Sequence, residues 1–498
     1  MTDFLRGTGA RALTRLAFAV VAVAGSACDT NKLVQVTDPA TLRPGDLNNI
    51  GSVPALVNGA FRQFIGGYSG LGDDAFLSSS AVISDETYYG DTFPTRDAAD
   101  RRTLQPTVLG NISDLAFSRL QQARFNARRA YGVVDQFTTS LTAAADSVTK
   151  AQLRTIEGYV YVTLSEGWCG DVPFSVLPDV GPIDPIQAVG GVGLTTSQMN
   201  DSAVVRFNQG LANSSVNRLA AVGKGRALLN NGQFAAAAAA VAAVPTNYVF
   251  LLQHSVNTSA ENNPMAALEQ NGRYGVANLE GGVTATGAAL RTDSSTALTA
   301  TNAEGLPFRA LMDVRVPWEP KPTNGKCFSS SVFCKSNDNY PNFDADVPVA
   351  SGVEARLIEA EAALYAGDAV TMMSKLNALR AASTALLTGL YPGATPTSAF
   401  KTNGAPNTLA PLTDPVDATA RRDLMFRERA LWLYNTGHRQ GDLRRLARAP
   451  YGLATSAVFP SGLFFRGGSY GSDVAYPVPF QEQNNTAFNP LACNTTTP

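Results

Sequence analysis

The chain has 498 residues, 45% of them hydrophobic and 16% charged, with a formal net charge of −2. That hydrophobic share with so little net charge excludes intrinsic disorder, and 39 basic against 41 acidic residues leave no broad positive field for nucleic acid. With only His254 and His438 in the chain, most imidazole-based metal and triad chemistry is excluded too.

Arg6, Arg11 and Arg15 precede an apolar stretch, Leu16 to Ala24, and then the small residues Gly25-Ser26-Ala27 before Cys28. A basic start, an apolar centre and small residues at the end describe an export signal. Small residues at −3 and −1 suit an ordinary signal peptidase. A small residue directly before Cys28 also resembles a bacterial lipobox, although a lipobox usually carries Leu where this chain has Gly25. The cysteines Cys28, Cys169, Cys327, Cys334 and Cys493 favour the lipobox. An odd thiol is a liability outside the cell, and lipid on Cys28 leaves four that can pair. Several acyl chains on one residue give a stable anchor. The expected organisation is a signal peptide over 1–27, a lipidated tether over 28–50 and a binding domain over 51–498. No run reaches the roughly 20 apolar residues of a membrane-spanning helix.

Val53 to Ile65 is a helix candidate, with Pro54 in the first turn and Leu56, Ala60 and Phe64 at four-residue spacing. Residues 71–110 look mixed and loop-rich. Four helical hairpins follow. The first pairs Ile112–Phe137 with Ala144–Glu166. The second pairs Ser202–Asn230 with Gln233–Val244. The third pairs Gly352–Tyr365 with Ala369–Ala382. The fourth pairs Ala418–Tyr434 with Arg439–Ala447. A helix, a short turn bearing glycine and an alanine-rich helix make up the tetratricopeptide plan. Insertions at 170–200, 246–350, 383–417 and 449–498 interrupt the period, and their aromatic residues argue that they pack. The fold class is mainly α, with four tetratricopeptide-like hairpins and long irregular insertions.

Several segments, in order, resemble the SusD/RagB family of outer-membrane nutrient-binding lipoproteins. Gly170-Asp171-Val172-Pro173 follows the aromatic-rich helix around Tyr159, Tyr161 and Trp168. Glu359-Ala360-Glu361-Ala362 is similar to the family's "AEA" helix, and Leu376-Asn377-Ala378-Leu379-Arg380 to its "LNxVR". Arg427-Glu428-Arg429, then Gly437-His438-Arg439 and Asp442-Leu443-Arg444-Arg445, resemble "RERxxELxxEGHRxxDLRR". Tyr476-Pro477-Val478-Pro479 and Asn489-Pro490 resemble the family's tail. The chain departs at Leu431-Trp432, at Asn435-Thr436 and at Gln481 to Asn485. The resemblance implies a lipid-anchored protein on the outer face of the outer membrane. Such a protein captures oligomeric nutrients, glycans foremost, and passes them to a TonB-dependent SusC-like barrel. It implies no catalysis and no cofactor. The alternatives are a tetratricopeptide scaffold that binds another protein, and a secreted hydrolase.

Individual motifs also admit plainer readings. The arginines, His438 and Asp442 of the last hairpin suit structural ion pairs. Gly467-Gly468-Ser469-Tyr470-Gly471 matches a nucleophile elbow in letters only, because no helix pattern and no histidine follow it. Adjacent acids such as Asp73-Asp74 and Asp85-Glu86 lack the facing geometry of a glycosidase. Cys327 and Cys334 suit a short disulfide loop better than a zinc site, which leaves Cys169 to pair with Cys493. Sugar capture needs aromatic faces and a few fixed polar groups. Asp85, Glu86, Tyr88 and Tyr89 in one segment, and Arg315, Trp318 and Tyr340 in another, are the expected contacts. Trp168 and Trp432 are expected in the core.

Overall fold

The computed structural model describes residues 49–104, 110–137, 141–176, 189–277, 313–320, 335–392, 408–462, 468–485 and 488–498, with isolated positions between them. The expected signal peptide over 1–27, Cys28, the tether up to residue 48 and Cys334 lie outside the described residues.

Val53–Tyr68 (α1) carries Pro54 in its first turn, where a missing N–H costs nothing, and buries Leu56, Ala60 and Phe64. Phe76–Ile83 (α2) and Pro94–Asp100 (α3) flank the short strand Thr87–Tyr89 (β1). Both helices fall where the sequence suggests loop. Every residue of α2 is buried, so no amphipathic period marks it. Asp114–Gln136 (α4) and Ala143–Gly167 (α5) make the first expected hairpin, and the Thr142 hydroxyl caps α5 by accepting from the Ala145 N–H at 3.2 Å. Val172–Val176 (β2) and Val189–Leu194 (β3) pair antiparallel after it.

The helix expected over Ser202–Asn230 is two helices, Thr196–Gly210 (α6) and Asn217–Asn230 (α7). Between them Asn213 Oδ1 accepts from the Ser215 N–H at 2.9 Å and from its hydroxyl at 2.6 Å. Such side-chain bonds compete with the helical ladder and break it. The alanine run is Phe234–Val241 (α8), which buries Phe234, Ala237 and Val241.

From there the chain leaves the helices on Val249–Leu252 (β4). It passes through Pro264–Gln270 (α9), Tyr274–Val276 (β5), Trp318–Pro320 (β6) and Lys335–Asn337 (β7), and returns on Val347–Ser351 (β8). β4 and β8 pair antiparallel, Val249 opposite Ser351 and Leu252 opposite Val347, so the excursion is clasped at its base. Gly352–Tyr365 (α10) and Ala369–Ala381 (α11) form the third expected hairpin. A further helix, Ser383–Leu390 (α12), stands where the sequence suggests loop and buries Leu386, Leu387 and Leu390. Ala418–Trp432 (α13) and Arg439–Ala447 (α14) form the last hairpin.

The helices pack largely in sequence: α1 on α4, α4 on α5, α5 on α6, α6 on α7, α7 on α8, α8 on α10 and α10 on α11. α13 then packs on α10, and α14 on α5. What binds this closure is a buried ionic network. Arg226 of α7 donates to both Glu354 oxygens at 2.7 and 2.9 Å. Arg445 donates to both Glu361 oxygens at 2.8 Å and to Asp442 at 2.9 Å. Arg429 forks onto Asp442 at 2.8 and 2.9 Å. Arg444 Nη1 donates to the carbonyls of Ser165, Glu166 and Trp168 at 2.8–3.0 Å, satisfying the open end of α5. The motif of the last hairpin is therefore a structural ion cluster. Trp168 and Trp432 are buried. Among the described residues, no helix is long and apolar enough to cross a membrane.

The tail is fastened to the end of α5. The Tyr476 N–H donates to the Gly167 carbonyl at 2.8 Å, the Cys169 N–H donates to the Tyr476 carbonyl at 2.9 Å, and Cys169 and Cys493 are joined by the expected disulfide. Cys327 is also disulfide-bonded and buried.

Candidate functional site

The seven residues expected to contact ligand are brought together by the fold, but beneath its surface. All of them are buried. Strand β1 explains the tyrosines. It pairs antiparallel with β5, Tyr88 opposite Gly275 and Tyr89 opposite Tyr274, and successive side chains of a strand face opposite ways. Tyr88 lies across Gly275, where an added Cβ would come within 2.8 Å of the ring, and joins Phe308, Val316, Trp318, Leu431 and Tyr434 in one apolar cluster. Tyr89 points the other way, edge-on to Tyr274 at 5.8 Å.

The polar members clasp the turn between α13 and α14. Asn435 sits in the left-handed region at φ 57°. Its N–H donates to Glu86 Oε1 at 3.0 Å, and its carbonyl accepts from the Tyr340 hydroxyl at 2.8 Å. The Tyr434 hydroxyl donates to the Glu86 carbonyl at 2.9 Å. Burial pushes the Glu86 carboxyl up to about 8, outweighing the hydrogen bond from Asn435. Asp85 precedes it at φ 62°. Arg315 forks onto Glu428 at 2.7 and 3.2 Å and onto Asp313 at 2.8 Å, against the Trp432 ring. Trp318 pairs through β6 with Asn337 of β7. In this structure none of the seven presents an open face.

The surface beside them does. Phe93 is 51% exposed and Phe328 60% exposed, and the guanidinium of Arg273 lies over both rings, 5.6 Å from one centre and 4.5 Å from the other. Three backbone features fix this trio. Phe93 directly precedes α3, whose first residue is Pro94, and its N–H donates to the Tyr89 hydroxyl at 2.5 Å. Beyond the end of helix α9, Gly272 with φ 66° turns the chain so that Arg273 leads into β5. The Phe328 N–H donates to the Gly272 carbonyl at 2.9 Å, and the Gly90 N–H donates to the Arg273 carbonyl at 2.8 Å. A side chain at Gly272 would press on the backbone of Cys327 and Phe328. Arg96, held by Asp74, lies 5.2 Å from the Phe93 ring centre. Arg273 pairs with Asp91, and among the described residues its remaining nitrogens make no hydrogen bond.

Half-open aromatic rings around a fixed guanidinium offer apolar area for sugar C–H surfaces and N–H donors for hydroxyls. The expected contacts end at Tyr89, four residues before Phe93, and pass over Phe328, which lies between the expected Trp318 and Tyr340. The signal available was a single phenylalanine in each of two polar stretches, Gly-Asp-Thr-Phe-Pro-Thr and Lys-Cys-Phe-Ser-Ser, with no apolar neighbour to bury it against.

A concavity of about 360 Å³ lies on the helical frame among Leu364, Tyr365, Ala418, Thr419 and Tyr451. Two of its polar groups are engaged: the Tyr451 hydroxyl donates to Glu361 at 3.3 Å, and Arg422 at its edge donates to Asp423. The Phe93–Phe328 face is the better candidate.

No family model and no curated protein matches the sequence. Solved structures do match. A SusD superfamily protein from Bacteroides thetaiotaomicron superposes with a TM-score of 0.59 at 14% identity, covering 88% of this chain and 98% of that one. A laminarin-binding SusD-like protein gives 0.54 at 15% identity, covering 88% and 98%. Surface glycan-binding protein A from Bacteroides uniformis gives 0.55 at 14% identity, covering 89% and 99%. The fold is SusD-like. At such low identity the likeness lies in the backbone.

Proposed function

We propose that this chain is a non-catalytic glycan-binding protein that captures oligosaccharide on the Phe93–Phe328 face. The observation that carries the proposal is the pair of half-exposed rings spanned by Arg273 and held by backbone hydrogen bonds. The names of two matching structures, one laminarin-binding and one glycan-binding, support the same ligand class. Export through residues 1–27, lipid on Cys28 and a position on the outer membrane complete the proposal, with a TonB-dependent SusC-like barrel as the acceptor of the captured glycan. Fixed rings favour binding because little side-chain freedom is lost when a sugar stacks on them.

The test is titration of the soluble protein against a polysaccharide panel, beside a Phe93→Ala/Phe328→Ala double variant. Loss of about tenfold or more in affinity, roughly 1.4 kcal/mol, is expected. Binding that ignores both substitutions would move the site elsewhere. Absence of any glycan ligand, together with a protein captured by the helical frame, would favour the tetratricopeptide scaffold. Mass spectrometry of Cys28 in material from native membranes tests the anchor, and co-purification of a β-barrel tests the partner.

A further inference from the structure

We infer that the Phe93–Phe328 face selects electrically neutral glycans over acidic ones, and that Asp91 sets this selectivity by neutralising Arg273. The inference rests on the assignment of this face as the glycan site.

An arginine-lined surface would ordinarily suit carboxylates or sulfates, because guanidinium forks onto them. Here each guanidinium around the face, among the described residues, already has an internal aspartate. Arg96 donates to Asp74 from Nε at 2.8 Å and approaches it from Nη2 at 2.6 Å. Asp74 is itself fixed, accepting from the Tyr274 hydroxyl at 2.9 Å and the Ser78 hydroxyl at 3.1 Å. Arg101 and Arg466 share Asp97 at 3.3 and 3.4 Å. Arg273 pairs with Asp91. Asp100 faces the same strand, accepting from the Tyr89 N–H at 2.8 Å. Among the described residues, four guanidiniums therefore meet four aspartates.

Asp91 is the decisive member because it cannot yield its place. It is buried, and its second oxygen accepts from the Thr92 N–H at 2.7 Å and the Thr92 hydroxyl at 3.4 Å. An incoming carboxylate would have to share Arg273 with that fixed negative charge, and like charges at an interface repel. A hydroxyl needs only an N–H to accept from, and Arg273 retains such donors. The rings then supply the area that a neutral sugar requires.

The experiment is titration of the intact protein with neutral polymers (α- and β-glucans, mannan, xylan) and acidic ones (polygalacturonate, alginate), with wild type, Phe93→Ala and Asp91→Asn in parallel. The expected result is Phe93-dependent binding of a neutral polymer and at least about tenfold weaker binding of acidic ones, narrowed by Asp91→Asn, which frees the Arg273 charge. Neutral binding in wild type should also stay flat between roughly 50 and 500 mM salt, since no net charge pairs across the contact. This measurement stands even if Asp91→Asn fails to fold. Phe93-dependent binding of an acidic polymer as tight as any neutral one, or a steep fall with salt, overturns the selectivity and keeps the site. Binding of neither class, or binding indifferent to Phe93→Ala, overturns the site and the selectivity together.

Discussion

In the helical frame Arg226, Arg429, Arg444 and Arg445 are buried, and each donates to two or more fixed acceptors. On the β1–β5 face Arg273 is a quarter exposed, holds one carboxylate and lies between two open rings. The residue type is the same in both places. What separates structural from recognition use is the share of its donors already committed and the share of its surface that water reaches. A buried arginine held by two or more fixed acceptors fixes helices against each other. A partly committed one at the surface still has donors for a ligand.

Substitutions should affect the two regions in different currencies. The largest effect belongs to the frame. Glu354→Ala leaves Arg226 buried without its carboxylate and should cost about 3–5 kcal/mol, read by denaturant unfolding. Burial alone would raise the Glu354 carboxyl, but Arg226 and His438 outweigh it and hold it at about 2. Its contribution is therefore present above the ordinary value of 4.5 and lost as pH falls towards 2. An effect of Glu354→Ala no larger than that of a surface pair would remove the distinction between the regions.

Next is the tail. Cys493→Ser opens the bond that spans 324 residues of sequence and should cost about 2–5 kcal/mol, measured as a lower unfolding midpoint. Glu86 gives a smaller and pH-dependent effect. Its folded value of about 8 against an ordinary 4.5 means that the unfolded chain releases the proton first. Stability from this group is complete below about 4.5 and falls as pH rises towards 8. Glu86→Gln keeps an acceptor for the Asn435 N–H, so the variant should gain on wild type by a margin on the order of 1–3 kcal/mol between pH 5 and 9. Unfolding curves that stay parallel across that range would contradict the buried, protonated carboxyl. Smallest is Phe93→Ala, which should change the unfolding free energy by about 0.5 kcal/mol or less while weakening glycan capture.

Much of the frame was legible because its signals are local. Proline in the first turn of α1, glycine between α10 and α11, and the aliphatic stripe of α5 each place an element without knowledge of the rest. The break between α6 and α7 was legible only in hindsight, since an asparagine and serines inside a helical pattern break it only when their side chains turn back on the backbone. Helices α2 and α12 were missed for different reasons: α2 is buried all round, and α12 follows α11 almost without a turn. For the site, the tyrosine-rich segment was found and its two faces were not. Alternation along β1 sends Tyr88 to the core and Tyr89 beneath Phe93, and the pairing that fixes this comes from β5, some 185 residues later. The acids and aromatics drew attention by density. The residues left at the surface are those with no apolar neighbours, and density cannot show that.

The clasp of β4 on β8 makes the stretch between them an exchangeable cassette. Its two ends leave and re-enter the frame side by side, so a replacement would keep the β4–β8 register, provided it again supplied the Arg315–Glu428 and Tyr340–Asn435 contacts that hold the last hairpin. Such a graft would bring a new counterpart to Arg273 and Phe328 against an unchanged Phe93. On the proposed reading, one recombination event could exchange one side of the glycan face as long as those buried contacts travel with it.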